Sequence, residues 1–206
     1  FFLIDEDHLC LLIADVSGKG IPAALFMMAS TIILFNLVKQ GMSPAEVMRN
    51  ANDTICYGNQ EQMFVTVWLG ILEISTGKMT AANAGHEYPI IRNGKGDYEV
   101  LKDKHDFVVG GMEDMEYSEY ELKLEKGSRL FLYTDGLPEA SNKDNAMFGE
   151  QRILEALNKD KDADPEQQIQ NVRKAVDDFV GEVEQFDDLT MLAFEYKGKK
   201  KSHQKK

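Results

Sequence analysis

The chain has 206 residues, enough for one substantial domain or two small ones. Its 43% hydrophobic and 28% charged content is that of a globular protein and excludes a disordered or fibrous chain. With 35 acidic against 23 basic residues the net charge is −12, which argues against nucleic acid as a main partner, because phosphate binding needs a basic face.

Residues 1–4 and 9–14 are apolar runs of strand length on either side of the polar turn Asp5-Glu6-Asp7-His8, and they read as a hairpin. Asp15-Val16-Ser17-Gly18-Lys19-Gly20 reads as a loop, and Pro22 suits the first turn of the helix that follows. No charged residue occurs from Gly20 to Val38, a length in the range of a membrane span. Pro22, Ser30, Thr31 and Asn36 interrupt that stretch, so the expectation is a helix buried in a soluble core, with no membrane span. Ser43-Pro44-Ala45-Glu46 is a helix start: Ser43 caps, proline takes the first position, and Glu46 completes a capping box. That second helix is expected to run to about Tyr57. Met27, Met28 and Met48 fall on these helices and are expected in the core.

The middle is β-rich. Residues 64–74, 78–84, 88–92, 98–101, 117–124 and 128–134 read as strands, with Ser75-Thr76-Gly77-Lys78 and Asn93-Gly94-Lys95-Gly96 as turns. Helices are expected near 149–158 and 165–180, and a last strand over 189–196. Residues 64–74 are apolar on both alternations, which predicts cover on both faces. Many hairpins with a few long helices predict an α/β layered sandwich, mostly antiparallel. No repeat or composition shift marks a second domain, so 1–196 reads as one domain and 197–206 as a solvated, disordered basic tail. Cys10 and Cys56 lie among apolar neighbours with no paired spacing and no signal peptide, which points to buried structural thiols and a reducing cytoplasm.

Six of the basic residues (Lys197, Lys199, Lys200, Lys201, Lys205, Lys206) lie in the last ten positions, so residues 1–196 carry 17 basic and 35 acidic groups, a net of −18. A body so acidic must solvate its carboxylates, spread them, or neutralise some with cations. Aspartates stand where apolar strands stop: Asp15 after Leu11-Leu12-Ile13-Ala14, Asp135 after Leu130-Phe131-Leu132-Tyr133-Thr134, and Asp187-Asp188 before Leu189-Thr190-Met191-Leu192. A carboxylate at the end of a buried strand is costly unless paired or bound to a cation. If the last strand runs antiparallel to the other two, Asp15, Asp135 and Asp187 converge on one edge. No arginine lies within six residues of Asp15 or Asp187, and Arg129 is six from Asp135. Oxygen-only ligands suit Mg²⁺ or Mn²⁺, and the four histidines and two cysteines form no zinc spacing. Taken one at a time, each aspartate is more simply read as a turn cap.

Four segments carry a resemblance. They are Asp15-Val16-Ser17-Gly18-Lys19-Gly20-Ile21-Pro22-Ala23-Ala24, Asn83-Ala84-Gly85-His86-Glu87-Tyr88-Pro89, Leu132-Tyr133-Thr134-Asp135-Gly136-Leu137-Pro138-Glu139-Ala140, and Phe186-Asp187-Asp188-Leu189-Thr190. In order and spacing they resemble bacterial serine/threonine phosphatases of the protein phosphatase 2C type, in the SpoIIE/RsbU branch, over nearly all of residues 1–196.

The resemblance implies an α-β-β-α fold of two mostly antiparallel sheets flanked by helices, and a protein phosphatase dependent on two Mn²⁺ or Mg²⁺ ions. By matching position, Asp15 would bridge the two ions and the Val16 carbonyl would join the second. Asp135 and Asp187 would complete the first site, with Asp188 orienting Asp187 or coordinating through water. The catalytic set so implied is Asp15, Asp135 and Asp187, acting through metal-activated water with no nucleophilic side chain. Lys19 is a candidate for substrate phosphate, although an exposed loop lysine is more simply solvated. Gly18-Lys19-Gly20 lacks the Walker spacing and is no phosphate loop. His86 is either a general acid or a structural histidine at a strand end, and Asn83 and Gly85 look architectural.

By the same resemblance the substrate class is a phosphoserine or phosphothreonine on an anti-anti-sigma-type protein, and the partner is an upstream sensor or receiver domain. Family members carry a Gly-Gly-Asp-Phe-Tyr-Asp-like segment just before the strand that here begins at Phe1, and its first aspartate serves the second metal. The domain is therefore read as N-terminally truncated, and a chain truly beginning at Phe1 is expected to hold the first metal at best and to hydrolyse phosphoprotein poorly. Two other readings remain. Phe2-Leu3-Ile4-Asp5-Glu6-Asp7 resembles the opening of haloacid-dehalogenase-type phosphatases, with Asp5 as covalent nucleophile, but that fold needs a parallel sheet where a hairpin is expected. A non-catalytic module of the same fold, binding a phosphoprotein or other partner, is the third.

Overall fold

The structure, a computed structural model, describes residues 1–183 and 187–198. Its elements in chain order are β1 (Phe2–Leu3), β2 (His8–Val16), α1 (Gly20–Lys39), α2 (Pro44–Cys56), β3 (Val65–Glu73), β4 (Lys78–Ala84), β5 (Ile90–Arg92), β6 (Glu99–Val100), β7 (Tyr120–Lys123), β8 (Arg129–Tyr133), α3 (Gly149–Lys159), α4 (Pro165–Val180) and β9 (Met191–Glu195). The expected elements all form; most strands are trimmed at their ends where pairing stops, whereas β2 runs longer than expected. Phe186 and the tail from 199 lie outside the described residues.

The chain divides into two compact units. The first holds Phe1–His86 and Asp103–Leu124, and its sheet has the order β1-β2-β3-β4-β7, antiparallel throughout. The β2–β3 register is long, from His8↔Glu73 to Val16↔Val65. Val65, Val67 and Leu69 of β3 pack with Val47, Met48, Ala51 and Ile55 of α2 and with Leu34 and Val38 of α1. The α2 positions share one helical face, and full burial of each such side chain stabilises by about 1.5–3 kcal/mol. Trp68 and Leu72, on the other alternation of β3, are buried too, so both faces of that strand are covered as expected. α2 starts on the expected capping box: the Glu46 amide donates to Ser43 Oγ, the Ser43 amide donates to Glu46 Oε2 at 2.9 Å, and Pro44 opens the helix.

Three sequence expectations change in this unit. α1 is not a buried core helix. It is apolar all round, but Phe26, Met27, Ile33, Leu34, Leu37 and Val38 pack against the core while Ile21, Leu25, Met28, Ile32 and Phe35 are exposed. One sheet can cover only one side of a helix, so Met28 is on the surface whereas Met48 is fully buried. α1 is also the one helix among the described residues long and apolar enough to cross a membrane. Next, β2 runs on through Asp15 and Val16, which remain paired to Thr66 and Val65, so the loop starts at Ser17. Finally, the aspartyl-nucleophile reading fails. Asp5 sits in the turn of an antiparallel β1–β2 pair, where its Oδ1 accepts from the Asp7 and His8 amides at 2.7 and 2.8 Å.

The second unit holds Glu87–Lys102 and Glu125–Lys197, with an antiparallel sheet in the order β6-β5-β8-β9. Ile90, Phe131 and Tyr133 pack with Ile153 and Leu157 of α3 and with Val172 and Val176 of α4. Arg92 and Arg129 face each other across β5–β8, an unfavourable pairing of like charges. Both guanidinium groups turn to the α3–α4 loop. Arg92 donates to the carbonyl of Lys161 and to Asp162 Oδ1 at 2.8 Å, and Arg129 to the carbonyls of Lys161, Asp162 and Ala163. The loop carbonyls offset the charge and fix the ends of both helices to the sheet.

Candidate functional site

In the second unit, β8 and β9 pair from Arg129↔Glu195 to Tyr133↔Met191, so the end of one strand and the start of the other share an edge. Thr134, buried, extends the pairing: its amide donates to the Thr190 carbonyl at 3.1 Å, and its Oγ1 accepts from the Thr190 amide at 3.2 Å. The chain then turns, with the Glu139 amide donating to the Asp135 carbonyl at 3.0 Å. Gly136 lies so close to the returning segment that an added Cβ would strike the Asp188 carbonyl oxygen and stand 3.4 Å from the Asp187 Cβ. The absence of a side chain at Gly136 brings the Asp135 and Asp187-Asp188 segments side by side. Asp187 Oδ1 accepts from the Asp188 amide at 3.0 Å, so Asp188 steadies Asp187 through its backbone. Asp135 is exposed and forms no ion pair among the described residues. A cavity of about 670 Å³ opens here, lined by Gly136, Glu139, Arg173, Asp177, Asp187 and Leu189 among others. Burial and then the Asp135 charge raise the Glu87 carboxyl above the usual carboxylate range.

In the first unit, Asp15 and Val16 are the last two residues of β2. Thr66 Oγ1 donates to the Asp15 carbonyl at 3.3 Å, and Ser17 continues the ladder, its amide donating to the Phe64 carbonyl and its Oγ accepting from the Phe64 amide. Lys19 is exposed and is the N-cap residue of α1. The Asn83-to-His86 segment leaves β4 on a turn that only glycine suits: Gly85 has φ +68°, and a Cβ there would stand 2.8 Å from Val108. His86 is 3% exposed, with its amide donating to Asn83 Oδ1 at 2.8 Å and its Nδ1 2.9 Å from Thr66 Oγ1.

The structure thus brings the Asp135 and Asp187-Asp188 segments together in one unit, and in the other sets Asp15 and Val16 at the end of β2 with Lys19 at the N-cap of α1. The donors available are carboxylate and carbonyl oxygens, which is the chemistry of a hard dication. Among the described residues no three His, Cys, Asp or Glu side chains gather closely enough to hold an ion by themselves. The feature that fits a metal is the Gly136 contact, which tolerates two carboxylate-bearing segments at a separation no other residue would allow. Arg129, the arginine nearest Asp135 in sequence, is engaged at the α3–α4 loop. Sequence reasoning missed Thr66, Asp103, Thr134 and the cavity lined by Arg173 and Asp177. Thr134 was open to detection as the residue before Asp135; the others depend on pairing register.

A model of the family described as Stage II sporulation protein E (SpoIIE) matches residues 5–197. Protein IcfG of Synechocystis sp. is 31% identical over 93% of this chain and 34% of its own length. Phosphoserine phosphatase RsbU of Bacillus subtilis is 31% identical over 67% of this chain and 41% of its own. The chain therefore spans between a third and a half of the length of these relatives. The structure of the SiaA-PP2C domain of Pseudomonas aeruginosa superposes with a TM-score of 0.81 at 20% identity, over 93% of this chain and 77% of that one, which shows a PP2C-like fold.

Proposed function

The chain belongs to the SpoIIE family, and from that premise we propose that it is a metal-dependent protein serine/threonine phosphatase of bacterial signalling. The observation that carries the proposal is the Gly136 contact, because it lays the backbone following Asp135 against the Asp187-Asp188 segment at the ends of two paired strands. Asp135 and Asp187 would hold the first ion, with Asp188 fixing Asp187. In the first unit, Asp15 and the Val16 carbonyl would offer oxygens to an ion. Mn²⁺ or Mg²⁺, when bound, would supply activation of water and offset the charge of the phosphoryl oxygens. The chain's own part is to hold those oxygens in place, to open a cavity beside them for the segment bearing the phosphoserine or phosphothreonine, and to offer Lys19 to the phosphate.

The substrate we assign is an anti-anti-sigma-type phosphoprotein, supported by the likeness to RsbU, and the location is the cytoplasm, supported by two cysteines that form no disulfide. We read 1–196 as one catalytic domain working with an attached sensor or receiver segment. The exposed residues of α1 support this, since Ile21, Leu25, Met28, Ile32 and Phe35 alternate at spacings of four and three, as a seam for a helix of that segment does. The test is hydrolysis of a phosphoserine protein by the chain with Mn²⁺ and with EDTA. Turnover with Mn²⁺ that EDTA abolishes is the expected result. No turnover at any Mn²⁺ concentration overturns it in favour of a non-catalytic binding module.

A further inference from the structure

A buried polar chain in the first unit begins at Asp103 and ends at Asp15. The Asp103 side chain is 1% exposed. Its carboxylate accepts from the Tyr120 hydroxyl at 2.6 Å and from Asn83 Nδ2 at 3.2 Å to each oxygen, with His105 Nε2 at 3.1 Å. Tyr120 in turn accepts from Trp68 Nε1 at 2.9 Å. A carboxylate can only accept, so it forces the nitrogen end of the Asn83 amide toward itself and the oxygen end toward the His86 amide. His86 is thereby pinned at its backbone, with its ring against Thr66.

The proton arrangement follows from the two bonds that Thr66 makes. The Asp15 carbonyl is an acceptor, so the single Thr66 hydroxyl hydrogen points there. On that assignment His86 Nδ1 carries the ring hydrogen and donates to Thr66 Oγ1. Each bond has one direction, from His86 through Thr66 to the backbone of Asp15.

We propose that Thr66 and His86, held by Asn83 and Asp103, are positioning residues that set the end of β2 so that the Asp15 carboxylate and the Val16 carbonyl face the metal. The inference rests on the metal-dependent reading above and assigns residues to it. Thr66 lies opposite Asp15 in the register, so its hydroxyl acts directly on the peptide unit joining Asp15 to Val16. Rotation of that unit would swing the Val16 backbone and the Asp15 side chain together. Second-sphere hydrogen bonds of this kind are commonly worth about 10–100-fold in metal affinity or activity.

The experiment is Mn²⁺ binding to the 206-residue chain by titration calorimetry, with thermal unfolding in EDTA beside it. Thr66→Val keeps the shape and removes the hydroxyl, and is expected to weaken Mn²⁺ binding about ten-fold; Thr66→Ser restores it. His86→Phe behaves as Thr66→Val, and His86→Asn, whose amide nitrogen reaches the Nδ1 position, recovers most of the affinity. Should Thr66→Val or His86→Phe not fold, Asp103→Asn reads the far end of the chain: weaker Mn²⁺ binding supports the inference and unchanged affinity overturns it. Thr66→Val with lower melting temperature but wild-type Mn²⁺ affinity also overturns it, leaving a purely structural role. A wild-type chain that binds no Mn²⁺ removes the metal reading itself, and the inference with it.

Discussion

Gly136 stands directly against Asp188: a Cβ at Gly136 would meet the Asp188 carbonyl oxygen and lie 3.4 Å from the Asp187 Cβ. Backbone cannot yield as a flexible side chain can. Gly136→Ala is therefore expected to cost about 1–3 kcal/mol, the range for overpacking a tight site, and to part Asp135 from Asp187. A lowered melting temperature together with weakened Mn²⁺ binding is the predicted pair of results. An alanine variant with wild-type values of both contradicts the close approach.

Glu87 makes stability depend on pH in a stated direction. Burial raises its carboxyl above the ordinary 4.5, and the Asp135, Glu139 and Glu150 charges add to the effect. Below 4.5 the group is protonated whether the chain is folded or not. Above it the unfolded chain releases the proton while the folded one keeps it, so the stability that the protonated group contributes is lost as pH rises through the folded value. Glu87→Gln, melted in EDTA, should melt higher than the wild type at pH 8, and the gain should vanish near pH 4. An equal gain at both pH values would falsify the assignment to ionisation.

The two thiols should differ in reactivity. Burial pushes Cys10, fully enclosed, up to about 12. Cys56 is only partly covered and lines a cavity of about 630 Å³ with Phe64, Phe107 and Met112, so the expectation of a second buried thiol does not hold for it. A disulfide reagent at pH 8 should modify Cys56 in the native chain and reach Cys10 only after unfolding. Equal labelling of both in the native state contradicts this packing.

Much of this was legible before the structure. The Ser43-Pro44-Ala45-Glu46 cap and the turn at Ser75-Thr76-Gly77 are local chemistry, and local chemistry is written in consecutive residues. The pairing of β8 with β9, which carries Asp135 to Asp187, could be anticipated because apolar runs stopped at aspartates. What could not be read is whatever depends on which strand lies opposite. Thr66 is an ordinary strand threonine until the register puts it across from Asp15. Asp103, in a segment with no periodic pattern, looks like one more surface acid until Tyr120 and Asn83 close around it. α1 misled for a related reason: twenty apolar residues announce a helix, but composition does not say how many of its sides the fold will cover.

The central claim, that strand-end carboxylates make this chain a metal-dependent phosphatase, is tested most directly at Asp135, which is exposed and carries no structural ion pair among the described residues. Phosphate release from a phosphoserine peptide should be measured for the wild type and Asp135→Asn across a range of Mn²⁺ concentrations. The account predicts turnover that rises with Mn²⁺ in the wild type, and a loss of about 100-fold or more in the variant at an unchanged melting temperature. Wild-type turnover by Asp135→Asn at every Mn²⁺ concentration would contradict it.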